Sequence, residues 1–225
     1  MTVLVAALLR AVFRVVDGVV LLSWPALWRA WWIGWRGLPS PYAPPSFALV
    51  LQARHSGGAA EDLVYGEAFV VVARRLLRAH GAGAGSLVVD LGCGRGAVLV
   101  AARSLGAQAR GLELNPAHLA VAGPALRAAG AIVDAGDARA ASLAGATHVW
   151  LSWATWSPET RALVARRLRA LAPGALVFGV VHGVDDGAFE VVARVRAPFS
   201  WGMADVVVSR QRAETDPSFP GVPPR

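Results

Sequence analysis

Apolar side chains recur along this chain with a period that changes from one stretch to the next, and each change marks an element. Between residues 3 and 35 nearly every position is apolar; the only charges are Arg10, Arg14, Asp17 and Arg29, and the first three stand at i, i+4 and i+7. That spacing gathers them on one stripe of a helix, where Arg14 and Asp17 are placed to pair. Trp24, Trp28, Trp31 and Trp35 repeat the helical spacing further on. A Pro-rich run from Arg36 to Ser46 interrupts the pattern with a stiff, extended linker. Periodicity returns after Glu67, where Phe69, Val72, Ala73, Leu76 and Leu77 make one apolar face and Gly81 is placed to cap the helix end.

Beyond this helix, short apolar runs alternate with helix-like segments, the pattern of a parallel α/β sheet. Leu87 to Leu91 reads as a buried strand. Ala109 to Leu114 reads as a second, ending at Asn115-Pro116, a helix N-cap followed by proline at the first helical position. Ala131 to Asp134 and His148 to Ser152 are the third and fourth strands, and Ser157-Pro158-Glu159 opens a helix that runs to Leu171. Ala175 to Val181 is the fifth strand, and Phe189 to Val195 with Ala204 to Ser209 make a closing antiparallel hairpin. The predicted organisation is an apolar Trp-rich helical segment over 1–36, a Pro/Gly-rich linker over 37–59, an α/β domain over 60–212 and a Pro-rich, disordered tail over 213–225.

Composition narrows the class. With 225 residues, 55% of them hydrophobic and 16% charged, and a mean hydropathy of +0.47, the chain is long and apolar enough to bury a core. A single cysteine excludes a disulfide scaffold and suits a reducing compartment. The net charge of +7 is carried by arginine, since the sequence contains no lysine. The arginines stand singly or in pairs along the whole chain, which argues against a nucleic-acid partner. His55, His80, His118, His148 and His182 show no metal-ligand spacing, so no metal is expected.

The amino-terminal segment changes the picture again, because five of the nine tryptophans lie there. A spanning helix needs about 20 apolar residues, and residues 3 to 22 reach that length only by including Arg10, Arg14 and Asp17. Tryptophan favours the headgroup level of a bilayer, so the segment reads as a membrane-inserted helix running into an interfacial aromatic one, in preference to a helix packed on its own domain. A signal peptide is disfavoured, because Met1 to Leu9 carry no positive side chain and no small-residue cleavage site follows. The expected location is the cytoplasmic side of a membrane, or the cytoplasm if the helix packs on the domain.

The candidate chemistry lies in Asp90-Leu91-Gly92-Cys93-Gly94-Arg95-Gly96, between a strand and a helix. Glycines there let the backbone approach a ligand closely and take left-handed angles. The nicotinamide fingerprint G-x-G-x-x-G does not fit, because the third glycine arrives one residue early and an acid precedes the first by two. Cys93 has no histidine in the motif to activate it, so a nucleophilic role is set aside. Glu113 ends the second strand, and Asp137 follows the third in Ala135-Gly136-Asp137-Ala138.

This D-x-G-x-G-x-G loop, with Glu113, Asp137 and the Leu171-Ala-Pro-Gly-Ala175 turn, resembles the class I S-adenosylmethionine-dependent methyltransferases over about residues 60 to 210. The resemblance implies a Rossmann-like sheet, S-adenosyl-L-methionine as cofactor, and a binding loop at Gly92, Gly94 and Gly96. It further implies that Asp90 faces the cationic methionine end, Glu113 the ribose hydroxyls and Asp137 the adenine amino group. Val64-Tyr65-Gly66-Glu67 resembles the Y-G-E segment of the disruptor-of-telomeric-silencing histone-lysine methyltransferases. The segment from His148 to Thr160 resembles that family's post-strand motif, with Ser152 and Trp153 in place of two asparagines and Ala154, Thr155 and Trp156 in place of F-A-F. Gly111 to Pro116 and the membrane-prone start also resemble small mitochondrial protein-lysine methyltransferases. These likenesses place Tyr65, Glu67 and Ser152 at the cofactor and Tyr65, Ser152 and Trp153, with Trp156, along a substrate channel. They imply an amine acceptor, lysine-like, at or near a membrane. The alternatives are a lipid or small-molecule N- or O-methyltransferase, and a cofactor-binding module of the same fold without turnover.

Overall fold

A computed structural model of the protein describes residues 3–37 and 66–213. Tyr65, the predicted linker and the tail beyond Ala213 lie outside the described residues. In chain order the elements are α1 (Val3–Val20), α2 (Pro25–Gly37), α3 (Val70–Ala79), β1 (Leu87–Leu91), α4 (Ala97–Ser104), β2 (Gln108–Glu113), α5 (Pro116–Ala128), β3 (Ile132–Ala135), β4 (His148–Leu151), α6 (Pro158–Leu168), β5 (Leu176–Val180), β6 (Phe189–Phe199) and β7 (Gly202–Gln211).

The strands form one seven-stranded sheet in the order β3-β2-β1-β4-β5-β7-β6. Pairing is parallel from β3 to β5, and β7 runs antiparallel between β5 and β6. The order of strand addition reverses between the parallel neighbours β1 and β4, the switch point at which such sheets open a crevice at the carboxyl ends of their strands. Alternate strand residues face opposite sides. Val88, Trp150, Phe178, Val206 and Val208 join one core with α2, α3, α4 and α5, while Val89, Leu91, Val149, Leu151 and Val177 join the other with α6.

Local signals explain most boundaries. Asn115 caps α5 by accepting the Ala117 N–H at 2.9 Å, and Ser157 caps α6 by accepting the Thr160 N–H at 3.1 Å. Helix α6 stops at Leu168, short of the predicted Leu171, because the Leu171 N–H bonds back to the Leu168 carbonyl at 3.0 Å in a tight turn. The hairpin is longer than predicted: Pro198 stays in register opposite Met203. A proline is tolerated there because β6 is the sheet's outermost strand, where a missing donor need not interrupt the ladder.

The amino-terminal segment departs furthest from expectation. It forms two helices that pack on the domain, with the charged stripe of α1 turned inward. Arg10 donates to the Ser200 carbonyl at 3.2 Å, Arg14 pairs with Glu67, and Asp17 accepts the Val71 N–H at 2.8 Å. Each member of the stripe thus finds a partner across the interface. Among the described residues no helix is long and apolar enough to cross a membrane.

Candidate active site

The acidic and glycine positions singled out in the sequence converge at the carboxyl ends of β1, β2 and β4. Gly92, Gly94 and Gly96 all take positive φ, at 85°, 51° and 83°. The loop turns back on β2, with the Gly92 and Cys93 N–H groups donating to the Leu112 carbonyl at 2.8 and 3.0 Å. A Cβ at Gly96 would stand 2.5 Å from the Leu126 side chain, so loop and α5 meet at a distance only glycine allows. Gly111 in β2 has the same role beneath the loop, since a Cβ there would meet Cys93 Sγ at 2.6 Å.

Glu113 ends β2 and braces the loop. Its Oε2 accepts the Gly94 N–H at 2.6 Å and its Oε1 the Asn115 N–H at 2.7 Å. Each carboxylate oxygen keeps a second lone pair, so two hydroxyl donors can still be received. Asp90 is 3% exposed, and its Oδ1 has no hydrogen-bond partner. Burial, helped by the nearby charge of Glu113, pushes its carboxyl up to about 8. Burial likewise pushes the Cys93 thiol well up, which removes the thiolate a nucleophile needs.

A pocket opens beside Asp90, Gly92 and Cys93, and Gly66, Glu67 and Ser152 complete its wall. Glu67 is buried at 5% exposure between Arg14 and Arg95, whose Nε lies 3.0 Å from Oε1. Its backbone N–H donates to Ser200 Oγ at 2.8 Å, and the Ser200 N–H returns to the Glu67 carbonyl at 3.0 Å. The hairpin tip thereby holds the Gly66-Glu67-Ala68 segment at the pocket. Gly66 has no room for a side chain, because a Cβ would lie 2.3 Å from the Trp201 indole. Ser152 accepts the Trp150 indole N–H at 3.2 Å.

Two sequence-predicted residues stand differently. Asp137 follows β3 at the same edge of the sheet, where its carboxylate receives the Arg139 backbone N–H and Nε, each at 2.8 Å. Burial opposes its ionised form, but the hydrogen bonds and charge of Arg139 outweigh that and hold the carboxyl below its usual range. Trp153, expected along a substrate channel, is 1% exposed with its indole N–H on the His182 carbonyl at 2.8 Å. It is a core side chain of the face covered by α6. Trp156 stands edge-on to it and reaches the loop, where a Cβ at Gly92 would lie 3.7 Å from its ring.

Arg14, Arg95, Ser200 and Trp201 are the residues at this site that sequence reasoning missed. Arg95 carried a signal, being a charge inside the glycine loop, but its partner Glu67 is 28 positions earlier. Among the described residues no cluster of three or more His, Cys, Asp or Glu side chains suits a metal ion.

The cofactor that the sequence likeness implies fits this site on its own chemistry. The buried, unpartnered Asp90 Oδ1 calls for a cationic donor, and the pocket beside it opens onto Gly92 of the glycine loop. No protein-family profile matches the chain, and no curated protein sequence matches it. Solved structures do. An RNA methyltransferase from Salinibacter ruber in complex with S-adenosyl-L-homocysteine is 24% identical, with 67% of this chain and 97% of that one covered at a TM-score of 0.53. TrmN from Thermus thermophilus is 20% identical, covering 71% of this chain and 53% of that one at 0.55. Magnesium protoporphyrin IX methyltransferase from Synechocystis, with bound S-adenosylmethionine, is 15% identical, covering 63% and 77% at 0.54. The chain shares their fold.

Proposed function

We propose that this chain is an S-adenosylmethionine-dependent methyltransferase whose acceptor is an amine, a protein lysine or a group like it. The observation that carries the reading is the Asp90 carboxyl: buried, lacking a partner on one oxygen, and lining a pocket beside a left-handed glycine loop. A carboxylate so placed binds an ammonium and disfavours an anionic or purely apolar ligand. Glu113 at the end of β2 has lone pairs free for two hydroxyls. The neighbours of the same fold, some solved with S-adenosylmethionine or its demethylated product, lend the cofactor assignment further support.

The cofactor would supply an electrophilic methyl group on a sulfonium, displaced in line by a lone pair of the acceptor. The protein's part in such a displacement is positioning and exclusion of water. Asp90 would hold the cationic methionine end of the ligand and Glu113 its ribose hydroxyls, beside the Gly92–Gly96 loop. An amine acceptor must first lose its proton, and an apolar, aromatic approach favours that loss by desolvation. Trp156, poised over Gly92, is the aromatic side chain placed to form that approach, and its ring face also suits a methylated ammonium product. The closed packing of Trp153 leaves this role to Trp156, while Ser152 lines the pocket wall.

The test is transfer of label from methyl-labelled S-adenosylmethionine into a lysate retaining its membranes, followed by separation of protein, lipid and small-molecule fractions. Label in protein, recovered as methyl-lysine and lost with Asp90→Asn, is the expected result. Label in the lipid fraction would replace the acceptor class while keeping the reaction. Label on the enzyme's own band would contradict lysine as acceptor, since the chain contains none.

A further inference from the structure

Helix α1 is inside out. Its charged residues Arg10, Arg14 and Asp17 face the domain, and the opposite side presents Leu8, Val12, Val15, Val19 and, just past its end, Leu22 at exposures of 64%, 49%, 67%, 60% and 66%. These five follow the spacing i, i+4, i+7, i+11 and i+14, so they form one continuous stripe along the helix. An ordinary surface helix buries such a stripe and exposes its charges. A contiguous exposed apolar face of this kind marks a contact with something apolar.

We propose that this stripe is a docking surface for a lipid bilayer with anionic headgroups, on which α1 lies in the plane of the interface without crossing it. Three observations select the bilayer. First, crossing is closed to α1, because its charged stripe is held by Glu67, Val71 and Ser200, and a face pinned to the domain leaves only the opposite face for the acyl layer. Second, the exposed charge of the two amino-terminal helices has one sign. Asp17 is the only acid in residues 3–37, and it is fully buried, whereas Arg29 and Arg36 are exposed on α2 at i and i+7. Exposed arginines without exposed acids complement anionic headgroups. Third, α2 brings Trp28, Trp32 and Trp35, each partly exposed, with the Arg36 guanidinium 5.3 Å from the Trp32 ring centroid. Indoles beside arginine suit the headgroup layer, where one end of the ring is apolar and the other wet.

The experiment is flotation of the full chain with two sets of vesicles, pure phosphatidylcholine and phosphatidylcholine mixed with phosphatidylglycerol, together with light scattering of the protein alone. The wild type is expected to float with the mixed vesicles and to stay below with the neutral ones. V15D/V19D, which alters only exposed positions, is expected to remain unbound while keeping its melting temperature. R29A/R36A is expected to bind about 30-fold more weakly, at roughly fivefold for each arginine removed. Failure of the wild type to float with mixed vesicles would overturn the proposal, as would undiminished flotation of V15D/V19D. Equal flotation on neutral vesicles would overturn the anionic assignment. A dimer that V15D/V19D returns to monomer, without vesicle binding, would show that a second copy covers the stripe instead.

Discussion

A carboxyl that is 3% exposed and lacks a partner on one oxygen titrates unlike a surface acid. Asp90 is pushed up to about 8 in the fold, against 3.8 for the free side chain. Between those values the native state holds a proton that the unfolded chain has released. The Asp90 contribution therefore lowers the stability of the ligand-free protein as pH rises through that window. Asp90→Asn, neutral and of the same shape, is expected to unfold at a higher denaturant midpoint than wild type near about pH 8, and to lose part of the wild-type pH slope. Gly111→Ala tests packing at the same scale. A Cβ 2.6 Å from Cys93 Sγ and 2.7 Å from Leu99 overfills the space under the loop. A cost of about 1–3 kcal/mol, seen as a melting temperature lower by about 2–4 °C per kcal/mol, is expected. Asp90, Glu113 and the three loop glycines were legible in the sequence, because a strand, a tight turn and a helix N-terminus impose their own local pattern. The burial of Trp153 was not. Its position follows the end of β4 closely, but whether its indole faces the pocket or the core depends on His182, 29 residues later.

At the scale of elements, the start of α3 shows what local pattern leaves out. Its own N-cap residue, Phe69, supplies no side-chain acceptor, and Asp17 of α1 takes that place by accepting the Val71 N–H. Asp17→Ala is expected to cost about 1–2 kcal/mol, with Asp17→Asn costing less because it keeps an acceptor. Burial pushes the Asp17 carboxyl up to about 6 against the hydrogen bonds of Val71 and Val70 and the charge of Arg14. Like Asp90, it favours the fold less as pH rises, here between 3.8 and about 6. Thermal melts across that window check both statements, since Asp17→Asn should flatten the slope. The face of α3 and the caps of α5 and α6 were readable because the residues that define them are neighbours in sequence. The orientation of α1 was not readable. A stripe of three charges on an apolar helix is compatible with a lipid, a partner or the chain's own domain, and partners 53 or more positions away decide it.

Across the whole molecule, the amino-terminal helices and the hairpin tip close on the glycine loop from two sides. In α2 a Cβ at Gly34 would lie 2.9 Å from the Arg95 carbonyl, while Ser200 at the hairpin tip grips Glu67. The chain of Arg14, Glu67 and Arg95 joins α1 to the loop through buried charge. Arg14→Ala takes a cationic partner from the buried Glu67 carboxylate, so it is expected to weaken cofactor binding by about tenfold or more. Equilibrium titration of this variant against the wild type checks the expectation. The strand order was only partly legible: alternating runs and a terminal hairpin fixed the class, but the insertion of β7 between β5 and β6 is a long-range choice made by side-chain burial.

Binding of a cationic cofactor against Asp90 can be read by calorimetric titration of S-adenosylmethionine into the full chain and its Asp90→Asn variant, at about pH 6.5 and about pH 8.5. Wild-type binding is expected to tighten at the higher pH and to release a proton, because Asp90 must ionise to meet the ligand. Asp90→Asn is expected to bind on the order of 100-fold more weakly, with no such pH dependence. Equal affinity of the two proteins, or no binding by the wild type at either pH, would contradict binding against Asp90.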